Sequence, residues 1–388
     1  MNCLVRCKMK IIRFGELYSI PTSNGVSRPS AVRGEGFHMI NMGELFSFDV
    51  INEMPMERVS LSDKEQKKYL VKKGDLLFAR QSLVAAGAGK CSIVNNILEP
   101  TTFESHLIRV RLDETRCCPR YYYYLFKLPD NPIKTIVNQC AQAGIRGSEL
   151  QKIKVPLPML AEQRRIASIL SAYDNLIENN NRRIRLLEQM AENLYKEWFV
   201  RFRFPGHEKA EFENGLPMGW KVMKLDKILT VRYGKDHSKI EDGDIPILGS
   251  GGIMRFGNKE LYASESVLIP RKGSLNNIMY IDEPFWTVDT MFFTEMKYKN
   301  IAKYVYYVLS GIDMESFNSG AALPSMTTNI LNHFKVILPS EDVLALFDEK
   351  VELLFLQKKK LIQQNTLLSR QRDLLLPRLM SGKLEVNV

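Results

Sequence analysis

The chain has 388 residues, 45% of them hydrophobic, which is material for two ordinary cores and too much chain for one typical domain. Its 54 lysines and arginines outnumber 44 acids, and the formal charge of +10 suits a polyanionic partner, either nucleic acid or an anionic membrane surface. No stretch approaches the ~20 apolar residues of a bilayer span, and the basic start Met1 to Lys8 lacks the apolar run of a secretory signal, so a cytoplasmic chain without a membrane contact is expected.

Cys3, Cys7, Cys91, Cys117, Cys118 and Cys140 form no Cys-x-x-Cys pair. Adjacent Cys117 and Cys118 are poor partners for a disulfide or a tetrahedral metal site, so free thiols in a reducing compartment are expected.

Taken from the start, residues 10–158 read as a globular segment of short β-branched and aromatic runs broken by Gly/Pro/Asn/Ser clusters such as Pro21 to Gly25. Tyr121 to Tyr124 with Leu125 and Phe126 have helical spacing and read as core rather than as base-stacking residues. From Ala161 to Phe199 there is no glycine or proline. Here Ile166, Leu170, Tyr173, Ile177, Asn180, Ile184, Leu187, Ala191, Leu194 and Trp198 alternate by four and three, the pattern of a coiled-coil seam. Asn180 alone breaks it, as a residue that fixes register and partner number. A linker over Arg203 to Trp220 leads into a second globular segment at 216–339.

That second segment repeats the first. Leu150-Gln-Lys-Ile-Lys-Val-Pro-Leu-Pro158 returns as Leu331-Asn-His-Phe-Lys-Val-Ile-Leu-Pro339, an offset of 181 (331 minus 150) that runs from about Ala141/Ala322 into the following helices. Lys10 to Leu17 echoes Lys221 to Ile228 at 211 (221 minus 10), and Gly74 to Arg80 echoes Glu265 to Arg271 at 191 (271 minus 80). The tyrosines return as Tyr304, Tyr306 and Tyr307. A shrinking offset is the mark of shorter loops on one scaffold. The 181 shift also carries the seam to Phe347, Val351, Leu354, Lys358, Leu361, Asn365, Leu368, Arg372 and Leu375, with Leu353, Leu356, Ile362, Leu367 and Leu374 widening the stripe toward further neighbours. Two helices of about 55 Å each, at ~1.5 Å per residue, are expected to pair antiparallel within one chain and hold two similar domains a fixed distance apart, the alternative being the seam of a homodimer.

The junction Pro156-Leu-Pro-Met-Leu-Ala-Glu-Gln-Arg-Arg-Ile-Ala-Ser-Ile-Leu170 resembles the start of the central helix in Type I restriction-modification specificity subunits. So do Asp174 to Asn180, Leu194 to Gly206, the ending Arg372 to Leu384, and Trp220-Lys-Val with Leu225 at the opening of the second segment. The resemblance implies an α+β chain with two similar, strand-rich target-recognition domains separated by two long helices in an antiparallel coiled coil. Its parts would be domain one at 1–158, a central helix at 159–204, a linker and domain two at 205–339, and a distal helix at 340–388. It implies further that the chain reads a split double-stranded DNA site, docks methyltransferase subunits (two of them) and restriction subunits, and carries no catalysis, cofactor or metal. A coiled-coil adaptor whose basic domains bind protein is the alternative. Two departures stand out: the distal helix opens Pro339-Ser-Glu-Asp-Val343 without the pair Glu162-Gln163, and the first segment has no tryptophan matching Trp220.

The sequence shows none of the common catalytic motifs. Gly89-Lys90 is followed by Cys91, and Val84 stands where a phosphate loop needs glycine. There is no Gly-x-Gly-x-x-Gly, no His-Glu-x-x-His and no Gly-x-Ser-x-Gly, and Asn131-Pro-Ile-Lys134 is not the Asn/Asp-Pro-Pro-aromatic element of an amino-methyltransferase. Asp130 and Lys134 lack the further carboxylates of a metal nuclease. DNA is expected instead to meet polar and basic groups in turn-prone stretches. These are Ser27, Arg28, Arg33, Arg80, Gln81, Ser82, Lys90 and Arg146 in the first domain, and Lys235, His237, Lys239, Ser250, Arg255, Arg271, Lys272, Ser274 and Asn276 in the second. Arg80 and Arg271 occupy matching positions.

Overall fold

The computed structural model describes residues 10–82, 87–137, 143–318 and 324–386. The repeat boundary at Ala141/Ala322 and the cysteines Cys3, Cys7 and Cys140 lie outside the described residues. The chain divides into one unit of Met1–Glu178 with Asn365–Val388 and another of Asn179–Gln364.

The first unit holds strands β1 (Lys10–Arg13), β2 (Tyr18–Asn24), β3 (Arg33–Ile40), β4 (Val50–Asn52), β5 (Glu57–Val59), β6 (Leu76–Ala79), β7 (Gln81–Ser82), β8 (Cys91–Asn96), β9 (Thr101–Phe103), β10 (Leu107–Leu112), β11 (Ala143–Gly144) and β12 (Lys154–Leu157). Its short helices are α1 (Met42–Ser47), α2 (Asp63–Tyr69), α3 (Pro119–Lys127) and α4 (Gly147–Leu150), and the long α5 (Leu160–Tyr195) begins in it. A five-stranded sheet runs β2-β10-β6-β8-β4, and a three-stranded sheet runs β5-β3-β9. Successive β6 side chains point to opposite faces, and both faces are covered. Leu76 and Phe78 pack on α3 and on Ile166 and Leu170 of α5, while Leu77 and Ala79 pack with Ile40, Leu45, Ile51 and Phe103. Tyr121, Tyr122, Tyr123 and Tyr124 are all buried, so the tyrosine run is core. Pro119 at the start of α3 suits a first turn whose amide needs no partner.

The second unit holds β13 (Phe212–Glu213), β14 (Leu216–Pro217), β15 (Lys221–Lys224), β16 (Leu229–Tyr233), β17 (Ile245–Gly249), β18 (Gly252–Gly257), β19 (Ser266–Pro270), β20 (Met279–Ile281), β21 (Trp286–Thr287), β22 (Met291–Met296) and β23 (Lys335–Leu338). Helices α6 (Leu225–Ile228), α7 (Ala302–Ser310) and α8 (Thr328–Asn332) accompany them, and the long α9 (Glu341–Met380) begins here. Its sheets run β16-β22-β19-β20 and β18-β17-β21. As in β6, alternate residues of β19 serve two cores: Val267 and Ile269 pack toward α7 and α9, and Leu268 packs with Leu248, Phe285 and Phe293.

The two lobes are copies in backbone detail. Lys10 faces Leu157 and Arg13 faces Lys154 across β1·β12, just as Lys221 faces Leu338 and Lys224 faces Lys335 across β15·β23. The Phe14 amide donates to the Ile153 carbonyl, and the Leu225 amide donates to that of Phe334. Tyr122 Oη donates to the Pro156 carbonyl, and Tyr304 Oη to that of Ile337. The offsets of 211 and 181 are therefore the two sides of one strand pair.

The long helices pair antiparallel. In the second unit Asn180 meets Gln364 and Glu188 meets Lys358, so one number rises as the other falls. In the first unit Asp174 meets Arg372. Ile166, Leu170, Asn180, Ala191 and Trp198 are buried, and Tyr173, Ile177, Ile184, Leu187 and Leu194 are half-buried. On α9, Phe347, Val351 and Leu361 are buried, and Leu354, Lys358, Asn365, Leu368, Arg372 and Leu375 are half-buried. The three polar seam positions have partners: Lys358 takes Glu188, Arg372 takes Asp174, and Asn365 is engaged as well. Leu353, Leu356, Ile362, Leu367 and Leu374 stand exposed on the flanks of the seam. Among the described residues no helix is long and apolar enough to cross a membrane.

Candidate nucleic-acid interface

In the first lobe the chain leaves β6 at Arg80 and crosses two other segments there. The Arg80 amide donates to the His106 carbonyl, and the Arg80 carbonyl accepts from the Ile145 amide, both at 2.8 Å. Gln81 Nε2 lies 2.9 Å from His106 Nδ1, and β7 pairs Gln81 with Gly144. A Cβ on Gly147 would come within 2.8 Å of Thr22 Oγ1, so the 146–147 turn sits directly against β2. Thr22, Arg80, Gln81, His106 and Arg146 thus share one edge. Arg80 and Arg146 are exposed and make no side-chain hydrogen bond or ion pair with the described residues.

The second lobe builds the same crossing. The Arg271 amide donates to the Thr290 carbonyl and the Arg271 carbonyl accepts from the Met326 amide, again both at 2.8 Å. Tyr233 Oη reaches Thr328 Oγ1 at 3.5 Å, where the first lobe has Thr22 against Gly147. The Arg271 guanidinium lies 5.5 Å from the centre of the exposed Tyr233 ring and donates to the Asp289 carbonyl at 3.1 Å. Alongside, Asn277 Nδ2 donates to the Ser250 carbonyl at 2.7 Å, and Gly273 (φ +86°) lies so close to Ser250 that a Cβ would fall 2.9 Å from its Oγ. Ser250, Arg271, Lys272 and Ser274 therefore gather at one edge, and Lys272 forms a bridge to Ser325 there. The exposed Lys235 lies beside it, its amide donating to Thr287.

Other candidates are engaged inside the protein. Arg28 pairs with Glu65 at 2.6 Å, and Arg33 pairs with Glu57 and donates to the Arg28 carbonyl. Lys90 binds the Phe46 carbonyl and stands 3.6 Å from Asp49; burial, the larger influence, lowers its pKa against the pull of Asp49. Arg255 Nη2 donates to the carbonyls of His237 and Ile240 at 2.7 and 2.8 Å, so Arg255 and His237 close the 236–242 loop. Asn276 donates to Asp313 and accepts from the Met314 amide, tying its turn to the segment before α8. Ser27 and Lys239 are exposed, and Ser82 is half-exposed with a contact of its own. Four further residues lie at these edges that the sequence alone did not single out: His106, Tyr233, Asn277 and Thr328. Tyr233 carried a signal, because the offset of 211 that matches Lys10 to Lys221 brings Thr22 onto it.

His38, Glu53 and Glu99 bring three ligand-type atoms within 4.8 Å of one another. Arg58 already pairs with Glu99 at 2.8 Å and the second Glu53 oxygen accepts the Leu98 amide at 2.7 Å, so both carboxylates are engaged by the protein itself.

Two copies of one strand-rich lobe, each with basic and amide side chains gathered at one edge, and two long antiparallel helices define a repeated recognition protein. The family described as "Type I restriction modification DNA specificity domain" matches twice, over residues 33–189 and 217–369. The chain belongs to this family and is a Type I restriction-modification specificity subunit, a DNA sequence-recognition protein. It is 28% identical to the specificity subunit of the type I restriction enzyme MjaIX of Methanocaldococcus jannaschii, over 69% of each chain. It is 19% identical to the type I restriction enzyme HindI specificity subunit of Haemophilus influenzae, over 82% of this chain and 88% of the relative. The fold is that of the crystallised Type I restriction-modification S subunit from M. genitalium, with a TM-score of 0.61, 16% identity and 98% of both chains covered.

Proposed function

We propose that the chain reads a bipartite double-stranded DNA site, one half with each lobe, and carries no chemistry of its own. The reading takes 1–158 and 205–339 as the two target-recognition domains, with the helices of 159–204 and 340–388 serving as spacer and dock. The observation that carries it is the recurrence of one crossing, at Arg80 and at Arg271, with the same two backbone hydrogen bonds and with different side chains around it. A repeated frame with altered readers suits two half-sites of unlike sequence. The exposed Leu353, Leu356, Leu367 and Leu374 support docking of methyltransferase subunits, two in number, and through them of restriction subunits, since such residues flanking a seam call for further apolar cover.

The test is methylation mapping in cells carrying the whole system, followed by gel shift of the purified complex with its methyltransferase. A split methylated motif, and tight binding only to duplexes holding both halves, is the expected result. A continuous motif, or binding indifferent to sequence, would overturn it.

A further inference from the structure

We propose that Arg80 and Arg271 grip DNA phosphate, and that the side chains around each of them read the bases; this rests on the DNA-reading assignment above. Arg80 and Arg271 each follow directly on a strand, β6 and β19, and in both lobes the arginine's amide and carbonyl are held at 2.8 Å by the same two crossing segments. The guanidinium is thus launched from an identical frame twice. Around it almost nothing is kept: Gln81 gives way to Lys272, His106 to Thr290, Thr22 to Tyr233, and Arg146 to Thr327.

Two surfaces that read unlike half-sites must differ where they touch base edges, because each base pair shows its own donor and acceptor pattern in the major groove. The backbone is what both halves of any site share, and its phosphates carry no sequence information. The one side chain held constant in an identical frame therefore matches the one constant feature of the partner. Local contacts agree. Among the described residues, Arg80 is exposed without a side-chain partner, and Arg271 is steadied by the Tyr233 ring and the Asp289 carbonyl and pairs with no carboxylate. Arg28 and Arg33, by contrast, are already neutralised by Glu65 and Glu57.

The experiment uses the intact complex of this chain with its methyltransferase and three duplexes: the mapped site, and that site with either half scrambled. Arg80→Ala and Arg271→Ala should each weaken binding by a similar factor on all three duplexes. Each should lower the slope of log affinity against log salt by about 0.9, the release expected for one phosphate. Lysine at either position should restore most of the affinity on all three duplexes alike, since an ammonium serves phosphate as a point charge. Gln81→Ala should instead relax the first half of the methylated motif alone. Loss confined to duplexes with one correct half, failure of lysine to rescue, or a changed motif in either arginine variant would overturn the phosphate assignment and leave the DNA-reading assignment standing. If the unaltered complex bound none of the three duplexes, the DNA-reading assignment itself would fall.

Discussion

Gln163 joins the start of α5 to the start of α3: its Oε1 accepts the Cys118 amide and its Nε2 donates to the Pro158 carbonyl, both at 2.9 Å. The side chain is fully buried, so the Glu162-Gln163 pair that marks the central helix is, in its second member, a structural tie. In the second copy the same place is held by Leu344, also buried, and the tie gives way to apolar packing in the core cluster that includes Phe347 and Val305. Gln163→Leu should therefore destabilise the first unit by about 2–3 kcal/mol, because it strands a buried amide and a buried carbonyl without partners. Urea unfolding of the full chain would measure it. An effect near zero would mean that water or a backbone shift satisfies both groups.

Lys303 is the corresponding polar investment of the second unit. Its ammonium lies 2.8 Å from Asp348 and 2.9 Å from Glu352, with the Tyr280 ring 5.5 Å away, and its side chain is only 4% exposed. Burial works against the charge, but the hydrogen bonds to Asp348 and Glu352 prevail and raise the pKa above its ordinary 10.5. A raised folded value means the stabilisation is full below the unfolded pKa and is lost as pH rises through the folded one. Lys303→Met should cost about 2–3 kcal/mol at neutral pH, less than a fully enclosed pair because Glu352 is partly open to water. It should also flatten the alkaline limb of a stability profile measured by thermal unfolding. An unchanged alkaline limb would show that Lys303 contributes packing alone.

Glu65 gives the opposite sign. It accepts the Ser62 amide in the capping box of α2 and pairs with Arg28, and together these lower its pKa from 4.5 to about 2. A depressed folded value contributes stability above the unfolded pKa, and that contribution disappears as pH falls from about 4.5 toward 2. Glu65→Gln should remove this component from the acid limb and leave the profile above pH 6 parallel to that of the unaltered chain. NMR titration of the carboxyl would check the cause directly; an ordinary value there would sink it.

Much of the architecture was legible because it rests on local periodicity and on repetition. The four-three spacing from Ile166 to Trp198 states a helix seam without reference to any partner. The offsets at Lys10/Lys221 and Leu150/Leu331 differ, yet they meet across one strand pair, which shows that loop lengths between them are free while register is not. The proposed interface is legible only in part, because whether a cation is free depends on residues far along the chain. Arg28 finds Glu65 and Arg33 finds Glu57 through the tertiary fold, and nothing in the local sequence of either arginine announces it. His106 escaped notice for the same reason: it reaches the Arg80 edge through pairing of β10 with β6, not through proximity in sequence.

Arg255 and Arg271 separate these two situations within a single lobe. Both are arginines in turn-rich stretches of the second domain, but Arg255 donates inward to the His237 and Ile240 carbonyls, whereas Arg271 stands at the crossing that recurs in both lobes. Arg255→Ala should lower stability by about 1–3 kcal/mol through loss of charge-assisted hydrogen bonds and loosening of the 236–242 loop. Its affinity for a duplex, measured at a temperature where the variant is folded, should keep the salt slope of the unaltered complex. A slope reduced by about 0.9 would return Arg255 to the phosphate-contacting set, since only a cation that displaces counterions from DNA changes that slope.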